Sequence, residues 1–275
     1  MSQRLAAIAG SVAGTIVLAL AGTAAAQLPP GLYGVSSSDD EEAALFRIDP
    51  ATGAATFLVD LSVNTSLVGA TFLDDELYIS DALAFNPNNW YGTVDPATGV
   101  YTGIHGQLQD LNWHGLASSE SLGVTWSISQ QNNRTLVETD LAGNITSIGP
   151  AGIDGRGMAY DDANGILYAV NFEDGSLYTV DTTTAQSTLV GPLGIPSDAI
   201  GLAYDEVNQT LYLTEGDVTD SLYTVDVNTG AATLVGPLGH HFVDGLAWLA
   251  PIPEPTSAGL LAIGSLALLR RRRGR

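Results

Sequence analysis

Residues 201–239 read GLAYDEVNQT LYLTEGDVTD SLYTVDVNTG AATLVGPLG, and at Gly245 the next such run, GLAWL, begins. This stretch holds four short runs rich in β-branched and aromatic residues: Gly201-Leu202-Ala203-Tyr204, Leu211-Tyr212-Leu213, Leu222-Tyr223-Thr224-Val225 and Thr233-Leu234-Val235. Asp, Asn, Gly and Thr separate them, the chemistry of tight turns, so the stretch predicts a four-stranded antiparallel sheet. One such sheet cannot bury both faces alone. Repeated with a period in the forties, it predicts an all-β propeller whose sheets pack around a central axis.

Working outward, four strand types recur, here called a to d from the axis. A first unit has b at 32–35, c at 45–49 and d at 56–59, with no strand a before it. A second runs from Val68 to Ile104, and a divergent third, with few of the Tyr and Asp signatures, from His114 to Ile148. The fourth and fifth start at Gly157 and Gly201, and a lone strand a is left over at Gly245-Leu246-Ala247-Trp248. Glycines 69, 115, 157, 201 and 245 are spaced 46, 42, 44 and 44 residues apart. Five phases predict five blades of four-stranded sheets. The leftover strand completes the first blade from the C-terminal side, closing the ring and removing an exposed edge. Turns such as Asp49-Pro50-Ala51-Thr52-Gly53 and Asp226-Val227-Asn228-Thr229-Gly230 have Asp placed to cap backbone amides, which gives these aspartates a structural role.

The order b, c, d over Leu32 to Trp248 resembles the YVTN and NHL-like groups of propellers. Domains are expected at 1–26, 27–250 and 251–275. In the first, Arg4 precedes an apolar run to Ala21, and Ala24-Ala25-Ala26 before Gln27 reads as a secretory signal peptide with its cleavage site after Ala26. In the last, Pro253-Glu254-Pro255 is followed by uncharged Thr256 to Leu269 and then Arg270, Arg271, Arg272, Arg273 and Arg275. Fourteen apolar residues fall short of the roughly 20 of a comfortable transmembrane helix. The arginines would hold such a helix from the cytoplasmic side. Pro253-Glu254-Pro255, the apolar stretch and the arginine cluster together resemble the PEP-CTERM sorting signal of Gram-negative bacteria. The resemblance implies an exosortase-type processing enzyme as partner, transient contact of the C-terminal helix with the inner membrane, and a cell-envelope or extracellular destination. It also implies exopolysaccharide or surface proteins as neighbours.

Charge narrows the partners further. The formal net charge is −21, and all thirty acidic residues lie between Asp39 and Glu254. Over that span the only cationic side chains are Arg47, Arg134 and Arg156, since the chain has no lysine. Such a body repels nucleic acid and anionic membranes and attracts cations or basic partners. The chain has no cysteine, which excludes disulfides, thiolate metal sites and a cysteine nucleophile. No phosphate-binding glycine loop, Gly-x-Ser-x-Gly elbow or His-Glu-x-x-His motif occurs. Asp39-Asp40-Glu41-Glu42 reads as a solvated acidic loop.

Chemistry is expected at the axial mouth where strand b ends and strand a begins. Ser36, Asp81, Ser129, Asn171 and Glu215 end the five b strands, and all carry oxygen. Trp113, His114, Asp154, Arg156, Asp198, His240, His241 and Asp244 lead into the a strands. The first group suggests a hard cation such as Ca²⁺ or another divalent ion held by Asp81, Asp154, Asn171 and Glu215. Trp113, His114, Arg156, Asp198 and Asp244 are the candidate ligand-binding set. Asp154, His114 and His240 suit a transition metal or acid–base work. Glu215, Asn171 and Asp81 or Asp154 resemble in composition the Glu, Asn and Asp set around one metal in propeller lactonases, though blade number and flanking motifs differ. That resemblance implies an alternative, a metal-dependent hydrolase or lyase. The principal expectation is a secreted, non-catalytic matrix or interaction module sorted by exosortase.

Overall fold

A computed structural model describes residues 28–36, 43–63, 67–81, 91–103, 113–130, 133–195, 199–216, 220–241 and 243–251. The signal-peptide segment, the acidic loop at 39–42, Asp198 and the whole C-terminal motif lie outside these residues, as does the side chain of Asp81.

The described residues form twenty strands in five four-stranded antiparallel sheets, the five-bladed propeller expected. Blade one contains β1 (Gly31–Ser36), β2 (Ala44–Ile48) and β3 (Ala55–Asp60), and blade two β4 (Leu67–Leu73), β5 (Glu76–Asp81), β6 (Tyr91–Val94) and β7 (Tyr101–Gly103). Blade three has β8 (Trp113–Ser119), β9 (Val124–Ser129), β10 (Thr135–Asp140) and β11 (Ile145–Pro150), as regular as its neighbours despite its divergent sequence. Blade four has β12 (Gly155–Asp161), β13 (Ile166–Asn171), β14 (Ser176–Val180) and β15 (Ser187–Pro192). Blade five has β16 (Ala199–Asp205), β17 (Thr210–Glu215), β18 (Ser221–Val225) and β19 (Ala232–Pro237). The last strand, β20 (Val243–Leu249), pairs antiparallel with β1, from Gly31 opposite Leu249 to Ser36 opposite Val243. Blade one thus takes its strand a from the other end of the chain, as expected.

Burial follows the radius. The inner strands β4, β8 and β20 are buried almost throughout, whereas the outer β3 and β11 are largely exposed. Each blade interface has its own apolar cluster. Tyr33, Val35 and Leu45 meet Phe72 and Ile79 between blades one and two, and Tyr91 meets Trp113 and Leu116 between two and three. Trp126 and Ile128 meet Met158, Tyr168 and Val170 meet Leu202, and Tyr212 and Leu222 meet Leu32 and Leu246 at the remaining three. Each fully buried leucine here stabilises by roughly 2 kcal/mol. One aromatic pair also bridges each interface: Tyr33–Phe72, Tyr91–Trp113, Trp126–Tyr160, Tyr168–Tyr204 and Tyr212–Trp248, with centroids 4.7 to 6.2 Å apart. The Tyr of the Gly-Leu-Ala-Tyr-Asp repeat is therefore an interface residue.

The recurring glycines of the inner strands close the axis. A Cβ on Gly69 would meet Gly115, one on Gly157 the Ile200 carbonyl, one on Gly201 the Asp244 carbonyl, and one on Gly245 Ala70. Each lets one blade's inner backbone approach the next. In every blade the pairing of strands a and b shifts register beside this glycine, at Ser36, Leu67–Gly69, His114–Ala117, Gly155–Met158 and Ala199–Gly201. Such bulges re-aim side chains, and here they place Val68, His114, Arg156, Ile200 and Asp244 at one equivalent position around the axis.

The c-to-d turns carry their Asp caps. Asp49 accepts from the Ala51 amide at 2.9 Å, Asp95 from Ala97, Asp140 from Ala142 and Asn144, Asp181 from Thr183 and Thr184, and Asp226 from Asn228. These hydrogen bonds hold all five carboxyls below the usual range, that of Asp181 at about 2.

Candidate functional site

The axial mouth at the start of the a strands is built mainly by blades three and four. His114, the last paired residue of β8 before its bulge, is 7% exposed, and neither ring nitrogen has a hydrogen-bond partner. Burial, and then the charge of Arg156, push its pKa down to about 3, so the ring is neutral at any ordinary pH. Arg156, at the same position of β12, lays its guanidinium over Phe172, with Cζ 3.4 Å from the ring centroid. Its Nε lies 3.7 Å from Oδ1 of Asp154, an ion pair too long for a hydrogen bond, and neither atom has another partner. Asp154 is held by its backbone: its amide donates to Asn171 Oδ1 at 3.0 Å, and its carbonyl accepts from the Phe172 amide at 2.8 Å.

The remaining predicted residues are dispersed. Asn171 ends β13 as expected but spends its side-chain oxygen on the amides of Asp154 and Glu173. Glu215 ends β17 and accepts from the Tyr223 hydroxyl at 2.7 Å. Asp81 ends β5 opposite Leu67. Asp244 is buried at the bulge position of β20. Trp113 turns into the interface with blade two, its ring 5.2 Å from Tyr91. His240 rests on Phe46, with centroids 4.5 Å apart. The structure thus brings together His114, Asp154 and Arg156, beside Asn171 and the unforeseen Phe172. Among the described residues no group of three His, Asp or Glu side chains could hold a metal ion. Of the predicted metal set, Asp154 pairs with Arg156, Asn171 Oδ1 accepts from the Asp154 and Glu173 amides, Glu215 accepts from Tyr223, and the side chain of Asp81 lies outside the described residues.

The other end of the axis was not foreseen. There the a-to-b hairpins surround a cavity of about 360 Å³, walled by Leu116, Met158, Leu202 and Leu246 and rimmed by Asp74, Asp75, Glu120, Asp162 and Glu206. Its rim carboxylates join one blade to the next. Glu120 accepts from the Asp74 amide at 3.0 and 3.1 Å, Asp162 from the Ser121 amide at 2.9 Å and the Ser119 and Ser121 hydroxyls, and Glu206 from the Asp162 amide at 2.6 Å. Burial and the neighbouring carboxylates push Glu120 and Glu206 up, despite those amide bonds. The sequence does carry a signal for this rim: an acidic residue follows the inner strand of blades two to five.

No family profile matches the chain, and no curated protein matches it. Solved structures do. A structure titled as a nidogen/laminin complex superposes with a TM-score of 0.57 at 12% identity, over 80% of this chain and 98% of that one. TolB from Acinetobacter baumannii gives 0.52 at 14% identity, over 78% of this chain and 55% of its own length. At such identities the likeness speaks for the propeller fold alone.

Proposed function

We propose that the protein is an exported β-propeller of the cell envelope or extracellular space, acting as a non-catalytic interaction module. Its ligand contacts are made at the His114–Arg156 mouth, and its two terminal segments handle delivery. The observation that carries the reading is the mouth itself. A buried neutral imidazole, a guanidinium stacked on Phe172 and a carboxylate converge there, each with a polar atom free of hydrogen bonds. A guanidinium is a poor proton shuttle and a good fixed donor, so the set suits binding better than acid–base turnover. For delivery, the support is the signal-peptide pattern ending at Ala26 and the Pro253-Glu254-Pro255 tail with its arginines.

The test is expression of the full chain in a Gram-negative host that has an exosortase-type enzyme. The mature N-terminus is expected at Gln27, and the tail is expected to be lost in wild type but kept when Pro253, Glu254 and Pro255 are changed to Ala. Retention at the cell surface should fall when His114 and Arg156 are replaced by Leu. A full-length product that stays in the cytoplasm would refute the reading. Metal analysis separates it from the hydrolase or lyase alternative: such an enzyme would retain about one divalent ion per chain and lose it when Asp81, Asn171 and Glu215 become Ala.

A further inference from the structure

We propose that the cavity at the a-to-b end of the axis is a binding site for an organic cation, an alkylated ammonium of the quaternary kind. The inference goes beyond the contact mouth at the opposite end and stands on separate residues.

Three layers of side chains build the cavity. The deepest follows the ring glycines and holds Leu116, Met158, Leu202 and Leu246, with the smaller Ala70 in blade two. Two residues further along each strand the layer is Phe72, Ser118, Tyr160, Tyr204 and Trp248, aromatic in four blades of five. Two residues further again it is Asp74, Glu120, Asp162, Glu206 and Ala250, acidic in four, with Asp75 beside Asp74. All three layers keep the 46, 42, 44 and 44 spacing of the ring glycines, so each is a ring about the axis. The upper two open to solvent: Asp74 and Glu120 are exposed, and Ser118, Tyr160, Trp248, Asp162 and Glu206 are half-buried. A volume of about 360 Å³ suits a small molecule.

The layers select its chemistry. Five carboxylates and, among the described residues, no cationic side chain line the cavity, so an anion is repelled and a cation drawn in. Arg134 and Arg156 are engaged elsewhere, on Glu173 and Phe172. A metal ion needs several oxygens converging on one point, and no three acidic or histidine side chains among the described residues provide them. Backbone amides hold the carboxylates around the ring instead: Glu120 accepts from Asp74, Asp162 from Ser121 and Glu206 from Asp162. They offer charge spread over a circle, which suits a cation whose own charge is spread over alkyl groups and that has no N–H to satisfy. Beneath them the aromatic layer receives those alkyl groups, the pairing that favours quaternary ammonium ions on Tyr and Trp. Held by the amides before the ligand arrives, the carboxylates add little ordering cost to binding.

The test is ligand-observed NMR on the full chain with choline, its uncharged carbon isostere dimethylbutanol, and ethanolamine, with calcium as competitor. Choline is expected to bind about tenfold or more tightly than the other two, since one lacks the charge and the other the methyl groups. Glu120→Gln with Glu206→Gln should weaken choline about tenfold or more, and added salt should weaken wild type more than this variant. Tyr160→Leu should also weaken it, at an unchanged urea midpoint; if that variant unfolds, the glutamine pair still decides. Equally tight binding of dimethylbutanol or ethanolamine overturns the assignment, as does displacement of choline by equimolar calcium. Choline binding indifferent to the glutamine pair overturns it, and so does no response to any probe. A response that appears only after Arg270, Arg271, Arg272 and Arg273 are changed to Ser gives the cavity to the chain's own tail and overturns it too.

Discussion

Gly115 has φ +68°, and a Cβ there would overlap the Arg156 carbonyl of the next blade. Backbone cannot move aside as a side chain can, so Gly115→Ala is expected to cost about 2 kcal/mol or more in urea unfolding. Gly175 also has positive φ, but nothing lies within 4 Å of the point a Cβ would occupy, and its replacement by Ala should cost less. His114 supplies a second prediction at this scale. Its folded pKa lies near 3, below that of a free histidine, so on acidification the unfolded chain takes up a proton that the folded chain refuses. Stability should fall as pH drops from about 6.5, the free-histidine value, toward 4. His114→Gln should flatten that slope when unfolding midpoints are compared across the window.

Among elements, Glu120 and Glu206 of the a-to-b hairpins and the aspartates of the c-to-d turns respond to pH with opposite sign. At the hairpins, Glu120 and Glu206 have raised folded values, so their contribution is present below the usual glutamate range and lost as pH rises through those values. Glu120→Gln keeps an acceptor for the Asp74 amide and removes the repulsion. It should be at least as stable as wild type at pH 7, and this advantage should vanish near pH 4. At the turns, the depressed aspartates contribute above the usual carboxylate range, and that contribution is lost as pH falls through the folded values, about 2 for Asp181. Acid unfolding monitored by circular dichroism should therefore steepen below pH 4, and Asp181→Ala should remove part of the slope.

For the whole molecule, ring closure is the decisive feature. Interface clusters join each blade to the next, but blade one is held together only by non-covalent pairing of β1 with β20. Ending the chain at His241 removes β20 and should leave an open edge, with loss of the cooperative transition and self-association on gel filtration. Ending it at Pro251 should leave both melting and elution unchanged. Glycine spacing, the leftover Gly245-Leu246-Ala247-Trp248 and the turn aspartates made the blade count and this closure legible in advance, because each is a local requirement repeated five times. Even blade three obeys it: Ser119 receives the Leu122 amide in the way that Asp161 receives that of Asn164.

The site was legible only in part. His114, Asp154 and Arg156 could be projected to one mouth because strand order fixes which chain ends face it. Sequence alone determined the repeat, its direction around the axis and the pool of polar residues at each end. Only the tertiary structure decided which of them meet. The bulge beside each ring glycine sets where a side chain aims; packing between blades sends Trp113 against Tyr91, and contacts within blades four and five put Asn171 on the Asp154 amide, Arg156 on Phe172 and Glu215 under the Tyr223 hydroxyl. Those contacts join residues 8 to 22 positions apart on different strands, and no local pattern in the chain encodes which side chains the pairing of strands and the packing of blades bring together.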